Sequence, residues 1–360
     1  MSICRWGFLS AAEIAQKNWL SVLLAENATL TAVASRSLPR AEDFISRCQA
    51  HSPFETAPTA FGSYDELIAS DEVDAIYIPL PTGVRKEWAI KAASAGKHVL
   101  LEKPCAKNAS DLEEILAACS ANNVQFMDGV MLMHSQRLPK VRSVIDDKVG
   151  EIRRMTTNFC FSAPDEFFAN NIRASADLEP HGCLGDVGWY CIRMILWAMK
   201  WQVPNMVTGR IIQATDQGVP IEFAGELIFE DNVTASFYCS FVTATEQLFE
   251  VAGTKGTVRL DDFVLPVIGD EVEFSSATPA FAVDVCDFQM DHQREIHSVT
   301  EPSHGKSGAQ EVRMIERFSA AAMSGNPEAE WGEYSLKTQK VMDACYVSAK
   351  SGCTETPVSN

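Results

Sequence analysis

The chain has no Cys-x-x-Cys pair, no uninterrupted apolar run long enough to cross a bilayer, and too few basic residues to balance its acids. Each absence removes a class. Its eleven cysteines stand singly (Cys4, Cys48, Cys105, Cys119 and onward), an odd number with no small-domain framework, which argues against a disulfide scaffold and suits a reducing cytosol. A bilayer span needs about 20 apolar residues in a row, and Arg5 and Glu13 interrupt what would be the apolar region of an export signal. The expected location is cytoplasmic, with no membrane partner. With 30 Lys and Arg against 48 Asp and Glu the formal net charge is −18, which repels phosphate backbones and so argues against nucleic acid as a partner. No metal is expected either: His181, Cys183 and Asp186 lack a fourth ligand at accepted spacing, and His292 and His297, five apart, do not share a helix face and read as surface histidines. What the chain does have is bulk, 360 residues of which 46% are hydrophobic, enough for two domains.

No internal repeat or low-complexity linker divides the chain, but its rhythm changes part-way. Short apolar runs alternate with helical patterns in the first part: strands over Ile3–Phe8, Leu30–Ser35, Ala75–Ile78, His98–Leu101 and Gln125–Met127, and helices over Ala11–Glu26, Arg40–Gln49, Ser63–Ala69, Arg85–Ala95 and Ala109–Asn122. Strands joined by crossover helices predict an α/β fold with a doubly wound parallel sheet. From Ile152 onward longer alternating runs, such as Glu222–Phe229, Val233–Phe241 and Phe249–Val251, read as antiparallel strands, with a turn at Gly253-Thr254-Lys255-Gly256. Helical spacing returns over Glu311–Ala322 and Glu333–Ala349. The expected division is 1–128 for a Rossmann domain and 129–360 for an α+β domain with a large, mostly antiparallel sheet.

Glycine is largely missing where a Rossmann turn would carry it. The first strand meets the first helix through Gly7-Phe8-Leu9-Ser10-Ala11-Ala12-Glu13-Ile14, the place where backbone N–H groups face a pyrophosphate. Laying G-x-G-x-x-G on Ser10-x-Ala12-x-x-Ala15 puts a small residue at each glycine position, which allows close backbone approach or, equally, serves packing alone. A carboxylate is missing too. After the second strand, where NAD-specific folds place an acid for the ribose hydroxyls, the sequence reads Ser35-Arg36-Ser37 with Arg40 one turn on. That pattern suits a 2′-phosphate and favours NADP(H) over NAD(H), unless Arg36 is only a solvated residue opening a helix.

Four motifs then follow in order: the small-residue turn, Ile78-Pro79-Leu80-Pro81-Thr82, Leu101-Glu102-Lys103-Pro104 after Gly96-Lys97-His98, and Gly185-Asp186-Val187-Gly188-Trp189-Tyr190. Together they resemble the Gfo/Idh/MocA oxidoreductases over nearly the whole chain, closest in pattern to dihydrodiol dehydrogenases and glucose-fructose oxidoreductases, which end the last motif in tyrosine. The resemblance implies a nucleotide contacted by the Pro79–Pro81 and Glu102–Pro104 turns, and a substrate cleft between the two domains. It also implies Lys103 beside the nicotinamide ribose and the reacting hydroxyl, Tyr190 as acid/base, and Asp186 holding the substrate or the tyrosine. In many members the outer face of the sheet forms a dimer, so a homodimer or homotetramer is expected. The sequence departs from the family pattern in its three substituted glycines and in the apolar Met131-Leu132-Met133-His134.

The chemistry is coherent from the residues themselves. Removing a hydride from an alcohol carbon requires a group to take the hydroxyl proton, and tyrosine, with a pKa of about 10, is a poor base at neutral pH. A neighbouring ammonium such as Lys103 stabilises the phenolate. The stretch from Phe167 to Arg173, with Asp177, offers groups suited to polyols: Asn171, Arg173 and Asp177 for hydroxyls and Phe168 for a sugar face. Plainer roles stay open, with Asp186 as a helix cap and Tyr190 as part of a packed aromatic face. The expected activity is an NADP-dependent dehydrogenase or reductase acting on a sugar, polyol or vicinal diol. Its rivals are transient oxidation by a tightly held nicotinamide and a non-enzymatic NADP-binding protein.

Overall fold

The computed structural model describes residues 2–358, which form two compact units. The first comprises residues up to His134 together with Asp177–Glu179 and His304–Gln339, and the second the remainder. Among the described residues no helix is long and apolar enough to cross a membrane.

The first unit alternates strands and helices as β1 (Cys4–Leu9), α1 (Glu13–Leu24), β2 (Ala28–Ala34), α2 (Leu38–His51), β3 (Thr59–Phe61), α3 (Tyr64–Ile68), β4 (Ala75–Ile78), α4 (Thr82–Ser94), β5 (His98–Leu101), α5 (Ala109–Ala121) and β6 (Phe126–Asp128). The six strands are all parallel, in the order β3-β2-β1-β4-β5-β6. Four consecutive buried residues in β4 are what a strand covered by helices on both faces requires. Because the strand order reverses between β1 and β4, the carboxyl ends of these strands open the crevice where doubly wound folds bind nucleotides.

The second unit runs α6 (Arg137–Val144), β7 (Ile152–Ser162), α7 (Asp165–Asn170), α8 (Trp189–Ala198), β8 (Met206–Ala214), β9 (Pro220–Ile228), β10 (Thr234–Ser240), β11 (Val242–Gly253), β12 (Thr257–Leu260), β13 (Glu271–Asp284) and β14 (Asp287–Thr300). Then come α9 (Gln310–Met323), which belongs to the first unit, α10 (Glu330–Lys350), divided between the units at Gln339, and β15 (Thr356–Pro357). The sheet has nine strands, ordered β14-β13-β12-β11-β7-β10-β9-β8-β15, antiparallel except for the β7–β10 pair.

Two expectations need correction. Residues 129–134 and 304–339 belong to the first unit rather than to a domain over 129–360, α9 because Trp6 on β1 presents a large indole that it covers. Its ring lies 4.9 Å from that of Phe318, and its Nε1–H donates to Ser319 Oγ at 3.1 Å. His297 is not a surface histidine: it is buried, stacked on Phe274 and hydrogen-bonded to Ser276 Oγ at 2.9 Å, whereas His292 is exposed.

Candidate active-site segments

In the first unit β1 delivers the chain to the turn before α1. Ala12 caps that helix in an extended conformation with no side chain accepting from its first turn, which leaves N–H donors of a 12-residue helix for a ligand. The candidate stretch Gly7 to Ile14 divides here. Gly7, Phe8 and Leu9 are buried in the central strand, where a Cβ on Gly7 would sit 2.9 Å from Leu67 and Val73 and Phe8 packs edge-on against Tyr77. Their side chains are core. Ser10, Ala11 and Ala12 are part-exposed, and Glu13 and Ile14 are exposed. After β2, Ser35 is buried and its N–H donates to Phe61 O at 3.1 Å, so β3 takes up that donor. Arg36 and Arg40 are both exposed.

The turns after β4 and β5 are held together by a residue the sequence reading did not single out. Arg85, buried on α4, donates from Nε to Leu80 O (2.9 Å) and from Nη1 to Glu102 O (2.8 Å) and to Pro104 O. One guanidinium therefore joins the Pro79-Leu80-Pro81 turn to the Glu102-Lys103-Pro104 turn, whose Lys103–Pro104 peptide is cis. Its signal was available: Arg85, Ala89, Ala92 and Ala93 are spaced as one helical face, and a charge on such a face needs partners. The Glu102 carboxylate accepts from Tyr77 Oη at 2.6 Å and from the Lys103 N–H at 3.3 Å. Burial and this carboxylate push the Tyr77 hydroxyl well above its ordinary pKa, so it remains a donor.

Residues 177–179 lie on the same turn. Thr82 donates to the Glu179 carboxylate from its N–H (2.9 Å) and its hydroxyl (2.6 Å), and Gly83 N–H donates to Leu178 O at 2.8 Å. A Cβ on Gly83 would come 2.1 Å from Asp177 O, so only glycine allows this approach. Asp177, expected beside Asn171 and Arg173 as a hydroxyl ligand, thus belongs to the first unit with an exposed side chain, because its backbone is pinned at Gly83.

In the second unit Asp186 and Tyr190 share one helical run. A π-type turn over Leu184–Gly188 passes directly into α8, so Asp186 is not the helix cap that one plain reading allowed. Its Oδ2 accepts from Arg173 Nε at 2.8 Å, and Asn171 Oδ1 accepts from the Arg173 N–H at 3.0 Å. Asn171, Arg173 and Asp186 therefore form one chain of contacts. Tyr190 is buried in the first turn of α8, edge-on to Phe159 at 5.7 Å. Phe168 borders a cluster of aromatic rings, 5.5 Å from Phe167, which in turn meets Phe161 and Phe241. Upstream, His181 is buried edge-on to Tyr346 with no partner for Nδ1, and burial lowers its pKa to about 4, so the ring is neutral. Among the described residues no group of three or more His, Cys, Asp and Glu side chains is arranged to hold a metal.

Comparison with known proteins matches residues 4–130 to the Gfo/Idh/MocA oxidoreductase family, NAD-binding Rossmann fold, and residues 139–259 to the Gfo/Idh/MocA C-terminal domain. A scyllo-inositol 2-dehydrogenase (NADP(+)) of Bacillus subtilis is 34% identical over 259 residues, covering 69% of this chain and 75% of that protein. The chain belongs to the Gfo/Idh/MocA oxidoreductase family. Another relative, a D-xylose 1-dehydrogenase (NADP(+)) of Haloferax volcanii, is 29% identical over 351 residues, 96% of this chain and 98% of that one. Among solved structures, a 3-ketoreductase from Actinomadura kijaniata in complex with NADP and TDP-benzene superposes with a TM-score of 0.80 at 25% identity, over 96% of this chain and 98% of its own. Membership agrees with the ordered motifs and with the pairing of a parallel and a mostly antiparallel sheet. In this Gfo/Idh/MocA chain the glycine-poor turn leads into a helix terminus with no side-chain cap, and Ser10, Ala11 and Ala12 before it are small and part-exposed.

Proposed function

We propose that this protein is an NADP(H)-dependent oxidoreductase acting on a hydroxyl or carbonyl carbon of a sugar, polyol or vicinal diol. The observation that carries the cofactor reading is at the end of β2: two exposed arginines, Arg36 and Arg40, and no carboxylate in Ser35-Arg36-Ser37. A 2′-phosphate suits such guanidinium pairs, whereas an acid would favour the unphosphorylated ribose. The names of the xylose, inositol and dihydrodiol dehydrogenases among its relatives support the substrate class.

When bound, the nicotinamide donates or accepts the hydride. The N-terminus of α1 binds pyrophosphate, and the turns joined by Arg85 position the rest of the nucleotide. Tyr190 moves the hydroxyl proton at its Oη, Lys103 stabilises the phenolate, and Asp186, held by Arg173, orients substrate or tyrosine. Asn171 and Arg173 meet substrate hydroxyls beside Phe168. In this reading the second unit provides substrate binding and oligomerisation, and the protein works in the cytoplasm as a homodimer or homotetramer.

The test is a titration with NADPH and NADH, followed by nicotinamide fluorescence, on wild type and Arg36→Ala. NADPH is expected to bind more tightly, with the variant losing about tenfold for NADPH and little for NADH. Equal affinities in the wild type, or equal losses in the variant, would overturn the 2′-phosphate role, and binding of neither nucleotide would overturn the oxidoreductase reading.

A further inference from the structure

A line of polar side chains runs through the first unit where packing alone would place apolar ones. Tyr77, fully buried on β4, lies on the same face as Glu102, because the parallel register sets it opposite Leu100 and Glu102 follows two residues on. From α1 comes Asn18, also buried, whose side-chain amide donates to the tyrosine hydroxyl. Tyr77 Oη donates in turn to Glu102 Oε1 at 2.6 Å, and Glu102 Oε2 accepts from the Lys103 N–H at 3.3 Å. Phe8 meets the tyrosine ring edge-on at 5.2 Å, and a Cβ on Gly129 would come 3.2 Å from Glu102 Oε1, so ring and carboxylate have little room to turn.

Stability gives no reason for this line. Phenylalanine would fill the place of Tyr77 with no hydroxyl to satisfy, and a buried hydroxyl or amide is costly unless paired. Asn18 Oδ1 is buried without a partner among the described residues, so the line is kept at a cost. What it secures is the main chain at Lys103. Arg85 holds the carbonyls of Glu102 and Pro104 on either side of that residue, and the carboxylate holds its N–H. We propose that Tyr77 is a positioning residue for hydride transfer: its hydroxyl fixes the Glu102 carboxylate, which fixes the Lys103 backbone and with it the reach of the ammonium. The proposal rests on the part given to Lys103 above. Tyr77 does not compete with Tyr190 as acid/base, since burial and the neighbouring carboxylate hold its proton in place.

Two readouts on the full-length protein test this in Tyr77→Phe, Glu102→Ala and the double variant. The first needs no substrate. In protein carrying isotopically labelled lysine, the Lys103 amide, assigned by its loss in Lys103→Arg, is expected to exchange with deuterium about tenfold faster in each variant than in wild type. The Lys97 amide, bonded to Ala92 O at 3.0 Å, keeps its rate and reports an intact fold. The second readout is NADP⁺-dependent oxidation of D-xylose or scyllo-inositol, in which kcat is expected to fall by about tenfold in Tyr77→Phe, with KM and NADPH affinity within about twofold of wild type. Because the two side chains act in series, the double variant should be no slower than Glu102→Ala alone. A wild-type exchange rate at Lys103 in Tyr77→Phe, losses that multiply in the double variant, or a raised KM at unchanged kcat would each overturn the proposal. If Glu102→Ala does not fold, exchange and the split between kcat and KM in Tyr77→Phe still decide it. Should the wild type oxidise neither compound, the fault lies with the functional reading, and the exchange rate still judges the hold of Tyr77 on Lys103.

Discussion

Replacing Arg85 should loosen two loops at once. Its guanidinium donates to the carbonyls of Leu80 and Pro104 in buried bonds and to that of Glu102 in a part-buried one. Removing the donor leaves two buried acceptors and one part-buried acceptor without that partner, at about 1–3 kcal/mol for each buried one left unsatisfied, so Arg85→Ala is expected to cost at least about 2 kcal/mol. Arg85→Lys, whose single ammonium cannot span both turns in the plane of a guanidinium, should recover only part of this. The assay is urea unfolding of both variants alongside nucleotide titration, reading the midpoint at an unchanged slope. NADPH affinity should fall by about tenfold as the Pro79–Pro81 and Glu102–Pro104 turns lose their common anchor. A midpoint change equivalent to less than about 1 kcal/mol with unaltered affinity would refute the clamp, because the carbonyls would then have found other partners at no cost.

Gly83→Ala should displace residues 177–179, since the new Cβ would lie 2.1 Å from Asp177 O; faster limited proteolysis around residue 178 is the readout, and wild-type rates would show that the segment yields without detaching. Burial holds His181 at about 4, below its ordinary 6.5. The unfolded chain therefore binds this proton first: the contribution of His181 to stability is full above about pH 6.5, is lost as pH falls through the interval, and levels off below about pH 4, a total of about 3 kcal/mol. His181→Leu should flatten the fall in unfolding free energy between pH 6.5 and 4, and an unchanged slope would remove His181 as its source.

How much of this was legible differs by element. The β4 and β5 runs could be bounded to the residue because each is a short, mostly apolar run set between helical patterns. By contrast, β3 has three residues, too few for a period, and β13 and β14 escaped notice because a strand exposed on both faces for half its length has no inward side to alternate against. The return of α9 to the first unit follows from Trp6 needing cover, a requirement that sequence order does not encode across 312 intervening positions. Among the proposed site residues, Lys103, Asp186 and Tyr190 stand out through ordered motifs, whereas Gly7, Phe8 and Leu9, buried in β1, entered the candidate stretch because a strand end and the turn after it are continuous in sequence. The Thr82–Glu179 pair, 97 residues apart, had no pattern to announce it. Arg85 did, through its spacing with three alanines.

The most direct measurement is the NADP⁺-dependent oxidation of a panel of aldoses, polyols and cyclic vicinal diols, followed by the rise of NADPH absorbance, in wild type and in Tyr190→Phe with nucleotide affinity measured on both. Turnover of at least one member by the wild type, falling by a factor of about 10²–10⁴ in the variant while NADPH still binds with wild-type affinity, is the predicted result. Turnover that survives the loss of the phenol at full rate would contradict Tyr190 as the acid/base, and no turnover of any member in either direction by nucleotide-binding wild type would contradict hydride transfer to this substrate class.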